Sequence, residues 1–248
     1  MRDLLAAEWR KAWTGRSWLV LLCCGSFMCL ITSFGYASQG NQAIEQGTAT
    51  AGSVTGDVVR SWMMMLLFAA LFGAVVVGRE YSSGTIGRSV LLSGGRARLF
   101  GAKLAVGTAL GALFGVIAVA LGLLSSWGTL SGYGRTPQWT GENWLTVLGV
   151  FLCSLLAAPW GVFLGWLCRN QLAAVTTVLG LTLLVEPALQ RLVPPVGKYL
   201  MTIAMSSVYR DRHTDLLSEP VALLVIAGWL LAAGLAARAL VLSRDISS

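Results

Sequence analysis

Charged residues are scarce in this chain, and histidine is almost absent. Of the 248 residues, 12% are charged and one is a histidine, whereas 56% are hydrophobic and the mean hydropathy is +0.72. Average soluble domains carry about 25% charged residues. The shortage of charge therefore excludes an ordinary soluble domain and favours a membrane protein, with the lipid bilayer as its first partner.

The sequence also lacks the patterns on which metal, nucleotide and nucleophile chemistry depend. Catalytic zinc normally has three protein ligands, and His213 has no histidine or cysteine cluster around it. Neither a G-x-x-x-x-G-K-[ST] phosphate-binding loop nor a nucleophile elbow occurs in the chain. We therefore expect a protein that is not an enzyme and binds no metal ion or cofactor of its own.

The five cysteines give no disulfide framework. All lie in or at the ends of apolar runs, where a thiol packs as a small apolar group. They are Cys23, Cys24, Cys29, Cys153 and Cys168.

Six apolar runs come near the length of about 20 residues that a membrane-spanning helix needs. The fifth is the weakest, because Glu186 and Pro187 interrupt its outer end. Connections between the runs are short, which predicts an all-α membrane protein with one transmembrane domain over residues 1–248. The runs are 17–36, 61–78, 104–127, 144–167, 172–189 and 221–242.

The distribution of lysine and arginine predicts the orientation of the spans. With the N-terminus inside, 12 of the 18 basic residues fall on the cytosolic side and 6 on the outer side. Cytosolic loops normally carry this excess. We therefore expect a multi-pass protein of the cell membrane with both termini in the cytosol. The net charge of +7 reflects this bias and does not indicate nucleic-acid binding.

Residues 1–16 are expected to form an amphipathic interfacial helix. Trp9 and Trp13 share one face with other apolar residues, while basic residues cluster elsewhere. An ordinary basic leader before the first span is the alternative. A cleaved signal peptide is disfavoured because the apolar run is long and the leader contains Asp3 and Glu8.

Two outer segments differ in character. Residues 37–60 are rich in polar and small residues without periodicity and are predicted to be a loop, followed by Trp62 in an aromatic belt with Trp127 and Trp144. Residues 186–220 are too broken to span and too apolar for a free loop. They are predicted to be a re-entrant or interfacial helix pair, the alternative being an amphipathic outer helix.

Glycines recur every four residues on two spans. Such faces let helix backbones approach closely, within one chain or between two. The predicted packing residues are Gly107, Gly111 and Gly115 on the third span and Gly161 and Gly165 on the fourth.

The inner segment 79–103 carries five of the 18 basic residues and is long enough to contain a short helix. Thr85 is expected to cap that helix, and Ile86 and Val90 share one of its faces. Arg88 adds a charged anchor beyond them. A basic, ordered loop between spans indicates contact with a cytosolic partner.

This segment resembles the first cytosolic loop of the ABC-2 transporter permease family. Residues 78–85 read G-R-E-Y-S-S-G-T, followed by Leu91-Leu92, Arg96 and Lys103. The family pattern is a glutamate after span two, a glycine–threonine pair, a short helix, a basic turn and a lysine opening span three. The leader sequence from Glu8 to Lys11 and the six-span layout are also similar. Gly94 departs from the pattern, since many relatives carry proline there.

The resemblance implies a coupling helix that sits in a cleft of a separate ATP-binding cassette ATPase. ATP and magnesium would be bound by that ATPase, and a second permease subunit, the same or a similar chain, would complete the complex. Glu80 and Arg88 are predicted to matter for coupling. Replacing both by alanine is expected to uncouple ATP hydrolysis from transport while leaving assembly in the membrane intact. The residues implied to couple to the ATPase are Glu80, Tyr81, Gly84, Thr85, Arg88, Arg96 and Arg98.

For substrate, the resemblance implies export of a hydrophobic or amphipathic compound, such as an antibiotic, an antimicrobial peptide or a lipid-like molecule, with antibiotic resistance or self-immunity as the role. Sodium extrusion occurs in the same family. A stand-alone channel or an ion-coupled carrier is the alternative from another class.

Overall fold

The computed structural model describes residues 1–212 and 215–243. Within these residues the chain is helical and contains no strand, which confirms the all-α prediction. The helices are α1 (Arg2–Trp13), α2 (Ser17–Glu45), α3 (Ala51–Arg60), α4 (Met65–Ser82), α5 (Ile86–Ser93), α6 (Arg96–Ser131), α7 (Gly141–Cys168), α8 (Gln171–Leu179), α9 (Glu186–Leu192), α10 (Pro194–Gly197), α11 (Met201–Val208) and α12 (Glu219–Ser243).

Six helical stretches are long and apolar enough to cross a membrane, as predicted. Two of them are composite, because a 3₁₀ turn joins α3 to α4 and a π-helical turn at Gly180–Val185 joins α8 to α9. The six stretches are Ser17–Glu45, Ala51–Ser82, Arg96–Ser131, Gly141–Cys168, Gln171–Leu192 and Glu219–Ser243.

The prediction of a loop over residues 37–60 is wrong. α2 continues to Glu45, and α3 starts directly after Thr50. Thr50 and Ser53 form a reciprocal capping box, which satisfies two backbone donors at the start of α3. Val54 and Val58 then bury one face of the helix. Because the segment is rich in polar residues, neither the capping box nor the apolar face of α3 was recognised in the sequence.

The centre of the bundle is formed by α4 and α7. In the apolar part of their stretches, 78% and 72% of residues are buried, against 39% or less in the other four. These two helices therefore form the core, and the remaining spans pack around them.

Three of the predicted glycines bring α6 onto α7 within this chain. A Cβ atom built at Gly107 would lie 2.5 Å from a methyl group of Val162. At Gly111 it would lie 2.5 Å from the Cβ of Ala158, and at Gly115 it would lie 2.9 Å from the Phe151 ring. The absence of side chains thus sets the distance between the two helices.

Gly161 and Gly165 lie on the opposite contact, between α7 and α4. A Cβ at Gly161 would lie 1.8 Å from the carbonyl oxygen of Ala70, and one at Gly165 would lie 3.0 Å from that of Ala74. α7 is therefore packed backbone to backbone against α4, and no side-chain rearrangement could make room there.

Trp62 is in the core, not in an aromatic belt as predicted. Its side chain is fully buried and its indole N–H donates to Ser125 Oγ at 2.9 Å. Gly122 on α6 leaves the space for the ring. Trp127 and Trp144, by contrast, are each 54% exposed, as residues facing lipid would be.

Residues 186–220 contain short helices, not a single continuous one. Glu186 is buried, and its carboxylate accepts hydrogen bonds from the backbone N–H of Thr202, at 2.6 Å, and from its hydroxyl. This contact joins the end of the fifth stretch to the start of α11, seven of whose eight residues are buried. The acid is thus held by the first turn of a helix, where negative charge is favourable.

Replacing Gly161 by alanine is expected to destabilise the bundle by about 1–3 kcal/mol or more, because overpacking against backbone cannot relax locally. The measurement is the thermal unfolding midpoint of the purified protein in detergent, followed by tryptophan fluorescence. Gly228→Ala on α12 is the control, since no atom lies within 4 Å of a Cβ there. Equal midpoints for the two variants would contradict the packing described.

Candidate functional site

The inner segment folds as a short helix between two glycine turns. Gly84 precedes α5 with a φ of +67°, and Gly94 ends it with a φ of +73°. This left-handed backbone favours glycine. Proline, with its φ fixed near −65°, could not adopt it, so α5 ends in a glycine cap.

The predicted capping role of Thr85 is wrong. Thr85 occupies the N-cap position, but its side chain makes no capping hydrogen bond, and its φ and ψ of −86° and −7° are helical. A capping hydroxyl normally needs an extended backbone at this position. The Thr85 hydroxyl instead contacts Ser83 Oγ at 2.9 Å.

The two faces of α5 have different surroundings. Ile86, Ser89 and Ser93 are buried against the rest of the chain, and Val90 is half-buried beside them. The opposite face, which we call the outward face, consists of Arg88, Leu91 and Leu92. Leu91 and Leu92 are 83% and 78% exposed.

Beside the buried face of α5 lie four charged side chains, which we call the inner ion cluster: Glu8, Lys11, Glu80 and Lys103. Lys103 Nζ lies 2.8 Å from a carboxylate oxygen of Glu8 and 2.8 Å from one of Glu80. Lys11 Nζ lies 2.6 Å from Glu8 and 3.3 Å from Glu80. The cluster therefore ties α1, α4 and α6 together.

The inner ion cluster is charge-balanced, with two lysines and two glutamates. Glu8 and Lys103 are 2% and 1% exposed. A buried charge is tolerated when it is paired and hydrogen-bonded. Lys103 meets both conditions, since it also donates to the Val76 carbonyl at 3.3 Å.

Lys11 connects the cluster to α5. Its ammonium group donates to Ser89 Oγ at 3.1 Å. Partial burial lowers the pKa of Lys11, but the hydrogen bond to Glu8 and the negative charge of Glu80 outweigh it, so the pKa lies above that of an ordinary lysine. The contribution of this lysine to stability is therefore present at neutral pH and lost as the pH rises through the raised pKa.

A second contact fixes the end of α1. Arg79, on α4, donates to the carbonyl of Lys11 at 2.9 Å and to that of Thr14 at 3.0 Å. A cation at these terminal carbonyls satisfies their hydrogen-bonding capacity and complements the helix dipole.

Tyr81 and Arg96 face other parts of the chain. The Tyr81 ring meets the Trp166 ring edge-on at 5.8 Å between centroids, and the Arg169 guanidinium lies 5.3 Å from the Tyr81 centroid. Arg96 donates to the Leu242 carbonyl near the end of α12 at 3.2 Å. Both side chains therefore connect the inner segment to neighbouring spans.

The structure divides the seven predicted coupling residues into two groups. Four of them, Gly84, Thr85, Arg88 and Arg98, are exposed around α5. Glu80 is buried in the inner ion cluster, while Tyr81 and Arg96 are half-buried against other helices. Glu80 can therefore act on a partner only by positioning α5.

The sequence pattern places Glu8 and Lys11 in the leader and Lys103 at the start of the third span, but it does not predict that they pair with Glu80. The missed signal is charge: Glu8 and Lys103 sit within or beside apolar stretches, where an unpaired charge would be costly. Nothing in the sequence points to Ser89, because its hydrogen bond with Lys11 exists only once α1 has packed beside α5.

His213 lies outside the described residues. Among the residues that the structure describes, no group of three or more histidine, cysteine or acidic side chains could hold a metal ion.

Replacing Lys103 by methionine is expected to destabilise the protein by about 3–5 kcal/mol, because two buried carboxylates are left to share Lys11. Adding Glu80→Gln should recover part of the loss, since Glu8 and Lys11 then remain as a neutral pair. The measurement is the thermal unfolding midpoint in detergent. Arg98→Gln, at an exposed position on the same helix, is the control, and a Lys103→Met protein as stable as this control would exclude the cluster as a structural anchor.

Comparison with known proteins adds an independent finding. Residues 4–185 match the family model described as ABC-2 family transporter protein. No curated protein matches the sequence significantly. The matched region runs from the first turn of α1 to beyond the end of α8 and includes the inner ion cluster and α5. The chain therefore belongs to the ABC-2 family of transporter proteins, as a multi-pass membrane permease.

Proposed function

We propose that this chain is the permease subunit of an ATP-driven exporter and that its ATPase subunit binds the outward face of α5. The family implies partnership with an ATP-binding cassette ATPase. The observation that carries the proposal is the exposure of Leu91 and Leu92 beside Arg88 at the tip of the inner segment.

The outward face has the composition of a protein contact. Two large apolar side chains exposed together on an eight-residue helix are costly in water, unlike a single exposed leucine. Arg88 and Arg98 flank them as exposed cations, and arginine is common at interfaces because its guanidinium pairs with carboxylates. An apolar cleft with acidic edges on the ATPase would complement this face.

The buried face of α5 supplies a path for coupling. Ser89 reaches α1 and α4 through Lys11 and Glu80, and α4 continues into the core against α7. A movement of α5 would then be transmitted to the central helices as a rigid-body tilt. On this proposal Arg88 contacts the ATPase, whereas Glu80 holds α5 in place, so an alanine at position 80 would weaken the bundle as well as coupling.

The proposed substrate is a hydrophobic or amphipathic compound, exported between this chain and a second permease subunit. The support is the scarcity of buried charge: among the described residues only Glu8, Glu80, Lys103 and Glu186 are buried charged side chains, which disfavours a small inorganic ion. The proposed orientation puts both termini and α5 in the cytosol of the cell, with ATP and magnesium bound by the partner.

Replacing Leu91 and Leu92 by glutamate is expected to abolish binding of the ATPase, because two carboxylates would be buried in an apolar contact. The measurement is recovery of a cassette ATPase with the tagged chain from gently solubilised membranes, identified by mass spectrometry. Thermal stability should be unchanged, since both side chains point away from the bundle.

The matched control is the double replacement of Leu91 and Leu92 by methionine, which keeps volume and apolar character and should retain the ATPase. Retention of the ATPase by both variants would place the contact elsewhere than on Leu91 and Leu92. Recovery of the wild-type chain alone in several detergents would overturn the proposal and favour a stand-alone channel or an ion-coupled carrier.

A further inference from the structure

A groove of about 440 Å³ lies between α1 and the beginning of α6. Leu5, Ala6, Trp9 and Arg10 form its α1 side, and Ala105 and Ala109 line it on α6. Its volume is within the range of about 300–1,000 Å³ of ligand sites.

The groove exists because α1 is held against α6 beside Lys103 and the neighbouring side chains are small. The Glu8–Lys103 pair, at 2.8 Å, holds α1 against α6. Just beyond Lys103, Ala105 and Ala109 are exposed methyl groups that leave the space under α1 unfilled. The cavity is thus a consequence of the inner ion cluster and is built into the fold.

The open side of the groove carries a net positive charge, because the exposed cations Arg2 and Arg10 of α1 outnumber its one exposed acid, Asp3. Arg10 lines the groove, and Arg2 lies two helical turns earlier on the same helix; both side chains are exposed. Neither makes an ion pair with another described residue, whereas Glu8 is committed to Lys11 and Lys103. An occupant must therefore combine an apolar part with a negative charge.

We propose that this groove binds one anionic phospholipid, with its phosphate at Arg10 and an acyl chain over Ala105 and Ala109. A guanidinium binds a phosphate through two parallel hydrogen bonds. Trp9, 39% exposed at the groove edge, is an amphipathic ring of the kind that lies at headgroup depth. Basic pockets between helices at a membrane surface bind anionic headgroups.

The groove favours a lipid over a free phosphate because most of its wall is apolar. Inorganic phosphate would leave the apolar wall formed by Leu5, Ala105 and Ala109 uncovered, whereas an acyl chain covers it. Bound lipid would also brace α1 against α6, so the folded state should gain stability with lipid concentration.

The experiment is a lipid titration of the purified full chain in detergent, read by native mass spectrometry and by the thermal unfolding midpoint. Phosphatidylglycerol is compared with phosphatidylcholine, which carries the same phosphate but no net charge. The wild type is expected to retain one phosphatidylglycerol molecule at least 10-fold more tightly than the first phosphatidylcholine molecule, with a rise in the midpoint.

Two groove variants and one control make the test specific. Ala109→Phe fills the groove and should weaken retention of that lipid at least 10-fold. Arg10→Gln, at an exposed position, should bring phosphatidylglycerol retention down to that of phosphatidylcholine. Ala120→Phe places the same ring at another exposed alanine of α6 and should behave as the wild type.

Three outcomes would overturn the proposal. Equal retention by the wild type, both groove variants and the control would mean annular lipid without a site. Displacement of the lipid by inorganic phosphate alone would identify a free-phosphate site. Co-purification of a different amphipathic compound that phosphatidylglycerol does not displace would assign the groove to that compound. If Ala109→Phe lowers the midpoint in the absence of lipid, this variant disturbs the fold, and the loss of phosphatidylglycerol retention by Arg10→Gln then becomes the test of the proposal.

Discussion

The pairing of Lys103 with Glu8 and Glu80 is the interaction on which the inner end of this protein depends. Three helices far apart in sequence meet at one ammonium group with two 2.8 Å contacts. In a buried position such a pair is strongly favoured over any arrangement that leaves one charge unpaired. It fixes α1 beside α6, sets the position of Lys11 under α5, and creates the groove that we assign to a phospholipid.

Close backbone packing makes the core, to which the inner ion cluster is attached through α4, rigid. Gly161 lets α7 approach α4, and Gly111 lets α6 approach α7, at distances that no larger residue would allow. α4 carries Glu80 at its inner end and the buried Trp62 directly before its outer end. On the proposed function, a displacement received at α5 would pass through the side chains of Lys11 and Glu80 to α4, and then along this closely packed helix to the core.

Predictions from the sequence succeeded where they rested on long-range averages and failed where one local contact decided. Apolar length was enough to find six spans, and the resemblance of residues 78–103 was enough to find the family. The helix at Ala51–Arg60 was missed because its Thr50 capping box lies in a polar stretch that resembles a loop. Trp62 was predicted to face the membrane interface because, in the sequence, a tryptophan in an aromatic belt cannot be distinguished from one in the core. Only the folded chain brings Ser125 and Gly122 next to its ring.

The sequence by itself determined the all-α class and the six spans, because both follow from the free energy of moving apolar residues out of water. The tertiary structure alone decided which of the predicted coupling residues are exposed. Arg88 and Glu80 are both charged residues of one loop in the sequence, yet Arg88 faces outward and Glu80 is buried. The reason is that a buried carboxylate needs partners for its charge, and Lys11 and Lys103 reach Glu80 only after the helices have packed.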